Sequence, residues 1–104
     1  MEVVWSAIAL DSLSDVMDYT YENFGEKQCE VIRETILASV KLLSIFPYSA
    51  PIEENLSDEN RIYRCKVVTK EIKVLYTVRN DEILLVELIW NVRQDLSTII
   101  ERLV

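Results

Sequence analysis

The chain has 104 residues, 50% hydrophobic and 28% charged, with a formal net charge of −7 and no histidine. A chain of this length builds one domain, residues 1–104, around its own core. An even field of that sign repels nucleic acid and anionic membranes. The absence of histidine excludes Ser-His-Asp chemistry, HExxH zinc sites and histidine acid/base catalysis.

The two cysteines, Cys29 and Cys65, belong to no CxxC pair, and no histidine is present to complete a zinc site, so both read as core residues. The carboxylates show no DxDxDG spacing, so no metal is implied, and nothing calls for a cofactor. The opening Met1-Glu2-Val3-Val4-Trp5 has no basic stretch and no long apolar run. The longest apolar stretch, Ile83–Val86, is far too short to cross a bilayer. These features predict a cytoplasmic protein that does not engage a membrane.

Val3-Val4-Trp5 is a short β-prone run, and Ser6 offers an N-cap. From Ala7 the period becomes helical. Leu10, Leu13, Met17, Tyr21 and Phe24 predict one buried stripe. Asp11, Asp15, Asp18 and Glu22 form an acidic stripe on another face, read as solvated. Its like-charge i, i+4 spacings are mildly unfavourable, which hints at a partner. Gly25, the sole glycine, is the expected helix stop. A second helix is predicted from Glu26 to Phe46, with Cys29, Ile32, Ile36, Val40 and Leu43 facing inward and Pro47 ending it. With almost nothing between them, the two helices must form an antiparallel hairpin.

Pro47 to Asn60 is the one clear loop. Ile62–Val68 then alternates Tyr63, Cys65 and Val67 against Arg64 and Lys66. After a turn at Thr69-Lys70-Glu71, Ile72–Val78 alternates Ile72, Val74, Tyr76 and Val78 against Lys73, Leu75 and Thr77, with Arg79 on the latter parity. Asn80-Asp81 is a tight hairpin turn. Ile83–Trp90 puts Leu84, Val86, Leu88 and Trp90 on one face and Ile83, Leu85, Glu87 and Ile89 on the other, so it reads as a central strand. Leu96–Leu103 is a short amphipathic helix with Leu96, Ile99, Ile100 and Leu103 on one side. The order is β-α-α-β-β-β-α, an α+β layout with a helical hairpin packed on a small antiparallel sheet.

Charge is unevenly spread. Residues 61–79 carry six basic side chains, Arg61, Arg64, Lys66, Lys70, Lys73 and Arg79, against Glu71 alone, a local +5. The rest of the chain therefore sums to −12. Arg64 and Lys66 share one strand parity, and Lys73 and Arg79 share another on the next strand. Two readings stand: an anion-facing surface for phosphate or an acidic partner, or the wetted side of an antiparallel sheet.

Several strings in this order resemble the RelE/ParE family of toxins from type II toxin–antitoxin systems, which includes plasmid-stabilisation proteins. Val4-Trp5-Ser6 with Ala9 and Leu10 resembles the family's strand-to-helix start. Asp18-Tyr19-Thr20, Asn23-Phe24-Gly25 and Gln28 resemble the ParE-type hairpin, and Ser44-Ile45-Phe46-Pro47 its end. Tyr63-Arg64-Cys65-Lys66, Lys73-Val74-Leu75-Tyr76 and Ile89-Trp90-Asn91-Val92-Arg93-Gln94-Asp95-Leu96 resemble the family's meander and closing segment. The loop Tyr48-Ser49-Ala50 lacks the glycine often found there.

The resemblance implies one of two activities. RelE-like members are ribosome-dependent mRNA endoribonucleases (mRNA interferases), and their basic cluster corresponds to Arg64, Lys66, Lys73 and Arg93. Such cations stabilise phosphate charge as a 2′-hydroxyl attacks. The C-terminal tyrosine of some RelE-like members would fall near Ile99 and is absent, as are the histidines of others. ParE-like members poison DNA gyrase without a defined catalytic set, and the hairpin strings place this chain closer to them. Either branch implies a cognate antitoxin, acidic in its binding tail, docking over Arg64, Lys66, Lys73, Arg79 and Arg93, with Leu75 as an exposed apolar contact. It also implies a homodimer or a heterotetramer with that antitoxin. A third reading is a non-toxic interaction module with the same fold.

Overall fold

The computed structural model describes residues 1–103. Along the chain run β1 (Glu2–Trp5), α1 (Ala7–Phe24), α2 (Glu26–Ile45), β2 (Arg64–Val67), β3 (Ile72–Arg79), β4 (Ile83–Asn91) and α3 (Leu96–Leu103). The order is the expected one, and the element ends move by at most two residues from the periodicity.

Local chemistry sets these ends. The Ser6 hydroxyl accepts a hydrogen bond from the Ala9 N–H at 3.0 Å and so caps α1. Gly25 adopts φ 87° and ψ 175°, a region reserved in practice for glycine. Its N–H donates to the Tyr21 carbonyl and its carbonyl accepts from the Cys29 N–H, so one residue closes α1 and opens α2. A Cβ at this position would meet nothing within 4 Å, so the backbone rather than space demands the glycine. Asn80 and Asp81 both take positive φ (53° and 56°), as a two-residue hairpin turn of matching twist requires.

The sheet order is β1-β4-β3-β2. The β2-β3-β4 meander is antiparallel. β1 adds a parallel edge to β4, pairing Val3 with Leu84 and Trp5 with Val86. β4 is thus central, flanked on both sides. Where β1 stops, serines take over its role. The Ser6 hydroxyl donates to the Glu87 carbonyl at 3.2 Å, and the buried Ser12 hydroxyl accepts from the Ile89 N–H at 2.9 Å.

The sheet separates two cores. The larger lies under the helical hairpin and gathers Val16, Ile36, Val40 and Leu43 against Val74, Tyr76, Leu84, Val86 and Ile89. The smaller lies on the other face and gathers Tyr63, Cys65, Leu75 and Leu88 around Ile99 of α3. Asp95 starts α3, its carboxylate accepting from the Thr98 N–H at 2.9 Å. That bond leads the contacts that hold its pKa below the usual carboxylate value. Arg102 of α3 reaches Asp15 of α1 at 3.7 Å.

Three expectations change. The buried stripe of α1 is Ala9, Ser12, Val16 and Thr20, while Leu10, Tyr21 and Phe24 are exposed and Leu13 and Met17 are half-buried. Small side chains let α1 lie close to β4, and the hydroxyls of Ser12 and Thr20 are satisfied by the carbonyls of Ala9 and Val16. The strict alternation of β4 breaks at Glu87. Leu75 pairs with Leu88 but its neighbour Tyr76 pairs with Val86, leaving Glu87 as the extra residue of a bulge. Leu84, Val86 and Ile89 therefore share one core while Leu88 packs in the other. Cys65 is buried as expected, but Cys29 is only half-buried. On α2 the inward stripe holds: Ile36, Val40 and Leu43 are buried. Ile99 is the fully buried residue of α3, and Ile100 is exposed.

Candidate partner-binding surface

The strand register decides which basic residues share a surface. On β2, Arg64 and Lys66 pair with Tyr76 and Val74, so they lie on the hairpin face of the sheet. Lys73 and Arg79 share the strand parity of Leu75 and lie on the α3 face. The run of cations is thus divided by the sheet and is not one patch. Arg93 follows β4 and sits beside α1.

Most of these cations serve the fold. Arg64 donates to the carbonyls of Tyr48 and Ala50 at 3.2 and 2.8 Å and stacks 5.3 Å from the Tyr48 ring centre. It pins the segment after α2 to the edge of the meander. Tyr76 adds to that anchor, its hydroxyl donating to the Pro47 carbonyl at 2.7 Å. The Lys73 ammonium lies 5.0 Å from the ring centre of Trp90, its cross-strand neighbour. Arg79 pairs with the buried Glu87 carboxylate at 3.3 Å, and Thr77 donates to the same oxygen at 2.8 Å. Lys66 alone of the six candidates is a cation with no hydrogen bond, ion pair or ring contact among the described residues.

Leu75 is not an exposed contact. It is fully buried in the smaller core, because α3 folds over that face of the sheet. The period-two pattern correctly separated it from Val74, but α3 covers the face it joins.

The structure brings together a group that the strand pattern alone did not link. The Arg93 guanidinium stacks 5.0 Å from the Tyr19 ring centre, donates to the Tyr19 hydroxyl, and pairs with Glu71 at 3.1 Å. The hydrogen bonds that Arg93 donates to Tyr19 and Glu71 hold its pKa above the usual guanidinium value. The group joins α1, the β2–β3 turn and the segment after β4. Next to it, Tyr19, Asn91, Arg93, Gln94 and Arg102 line a crevice between α1 and the closing segment. Tyr19 and Arg93 stand in separate strings of the sequence, and only the parallel addition of β1 to β4 carries α1 across to meet residue 93.

The hairpin carries several exposed apolar side chains. Leu10, Tyr21 and Phe24 face outward on α1, as do Val31, Leu42 and Ile45 on α2. Chemically, the surface offers aromatic and aliphatic area, guanidinium groups stacked on phenol rings at Arg64 and Arg93, and the free ammonium of Lys66. Such groups suit recognition of a protein with acidic and apolar segments. Catalysis at a phosphodiester instead needs cations converging on one point, and the sheet stands between Arg64 and Lys66 on one side and Lys73 on the other. Among the described residues no helix is long and apolar enough to cross a membrane.

Comparison with known proteins agrees with the fold. No curated relative matches the chain. A family model described as ParE toxin of type II toxin–antitoxin system, parDE, matches residues 3–96. That span runs from β1 to the first residue of α3 and includes the hairpin, the whole meander and the Tyr19–Arg93 group. The chain therefore belongs to the ParE toxin family of type II toxin–antitoxin systems.

Proposed function

We propose that this chain arrests growth by binding and inhibiting DNA gyrase, and that a cognate antitoxin with an acidic tail neutralises it. The observation that carries this reading is the division of the cations. Arg64 and Lys66 lie on the hairpin face, Lys73 lies on the α3 face, and Arg64 is engaged with backbone carbonyls. A surface of this kind supports protein contact better than RNA cleavage. The antitoxin tail finds its charge partners in Lys66 and Arg93, and its apolar contacts on the exposed side of α1.

The test is a pair of assays on the purified chain. Gyrase supercoiling is expected to fall with added chain and to recover with antitoxin. Messenger RNA on translating ribosomes is expected to stay intact. Message cleavage that is lost in Arg64→Ala or Arg93→Ala would instead identify a RelE-like ribonuclease. Normal growth on induction without antitoxin would identify a non-toxic interaction module and overturn the proposal.

A further inference from the structure

Helix α2 is apolar on two sides. Its inner side, Ile36, Val40 and Leu43, is consumed by the larger core. Its outer side carries Gln28, Val31, Thr35, Ala38, Leu42 and Ile45, spaced 3-4-3-4-3. Val31, Leu42 and Ile45 are 46, 50 and 62% exposed there. A surface helix of a lone domain normally needs one apolar stripe. A second stripe that keeps heptad spacing over about 26 Å of helix is the pattern of a helix-pairing seam.

We propose that this outer seam pairs antiparallel with the same seam of a second copy of the chain. The occupant follows from symmetry and charge. A two-fold axis between Thr35 and Ala38 places Val31 against the partner's Leu42, Thr35 against the partner's Ala38, and Gln28 against the partner's Ile45. Every layer then matches a residue of one heptad position with its complement, as antiparallel pairing requires. The small residues Thr35 and Ala38 fall at the centre, where the axes come closest. The Thr35 hydroxyl is already bonded to the Val31 carbonyl at 2.7 Å, so covering it leaves no unpaired group.

The flanking charges select this arrangement over its alternative. Glu34 and Lys41 stand beside the seam on the same edge, both exposed. The two-fold axis sets Glu34 near the partner's Lys41 and Lys41 near the partner's Glu34, giving two opposite-charge contacts. A parallel pair sets Glu34 near the partner's Ser39 and aligns the two acidic N-terminal turns, where Glu26 and Glu30 lie, side by side. Antiparallel helices also oppose their dipoles. One helix pair buries an area at the low end of specific interfaces, about 1,200 Å² in total. Association is therefore expected at micromolar chain. The inference rests on α2 alone and does not depend on which target the toxin poisons.

Sedimentation equilibrium on the full chain tests it. The chain is expected to dimerise reversibly. Leu42→Glu is expected to weaken dimerisation about a hundredfold or more, since two buried leucines are lost by symmetry. Circular dichroism is expected to stay unchanged, because Leu42 faces out of the fold. Glu34→Lys and Lys41→Glu are each expected to weaken it about tenfold, and the double exchange to restore it. A monomer at about 0.1 mM chain, a dimer indifferent to Leu42→Glu, or no recovery in the double exchange would each overturn the proposal. So would a Leu42→Glu chain that self-associates normally and loses its antitoxin instead, which would assign the seam to the antitoxin.

Discussion

The backbone N–H of Ile89 donates to the hydroxyl of Ser12 at 2.9 Å in the buried interior. The donor lies just past the bulge of β4 and beyond the end of β1, so no strand is available to accept from it. A helix side chain from the other end of the sequence supplies the missing acceptor. Ser12→Ala is expected to cost about 1–3 kcal/mol, the penalty of an unmet buried donor. Urea midpoints with an unchanged slope would verify it.

Arg79 and Glu87 make a second test of structure against function. Glu87 is almost fully buried, while the Arg79 side chain is 37% exposed. Arg79→Ala leaves a buried carboxylate with Thr77 as its remaining side-chain donor. The expected loss is about 1–3 kcal/mol, below the range for a wholly buried pair because solvent screens the arginine. Arg79→Met combined with Glu87→Leu is expected to recover most of it. If both variants neutralise normally with antitoxin when folded, Arg79 serves the fold and not the partner. Binding calorimetry beside thermal melts reads both quantities.

Lys66 and Arg64 share a face and are expected to behave differently. Lys66→Glu is expected to lower antitoxin affinity about tenfold with no change in melting temperature, because the ammonium is unengaged in the fold. Arg64→Ala is expected to lower the melting temperature, because it frees the carbonyls of Tyr48 and Ala50.

Cys65 gives a pH dependence with a definite sign. Burial pushes its thiol from 9.0 up to about 11. The fold thus favours the neutral thiol. Its contribution is complete below pH 9, where the unfolded chain also keeps the proton, and drains away as pH rises towards 11. The expected loss is at most about 3 kcal/mol. Cys65→Ala is expected to flatten this part of the stability curve. At neutral pH, Cys65 should resist alkylation in the native state and react once the chain is unfolded.

Element order was legible because period and punctuation are local. Gly25, Pro47 and Asn80-Asp81 mark ends that depend only on nearby residues. The inward stripe of α2 was legible because Ile36, Val40 and Leu43 recur at helical spacing, although other apolar residues of the helix stay exposed. On α1 this failed. Leu10, Tyr21 and Phe24 are more apolar than Ser12 and Thr20, yet the close approach of β4 selects small residues, and their hydroxyls find partners within the helix. Counting hydrophobes cannot see that choice. The basic run at 61–79 was legible as charge, but its division between two faces depends on the pairing of β2 with β3. Tyr19 and Arg93 meet only through tertiary packing, so neither string alone announced the group.

The bulge at Glu87 shapes how β4 tolerates change. In a regular strand, alternate positions accept polar residues without penalty. Here Val86, Glu87, Leu88 and Ile89 are buried in succession, and each answers to a different neighbour. A scan of substitutions along β4 should show four consecutive intolerant sites where an even strand would show two. Deleting Glu87 should leave Leu88 and Ile89 in their own cores, because Val86, Leu88 and Ile89 then alternate simply between the larger and the smaller one, and its cost should be the lost partner of Arg79 and Thr77.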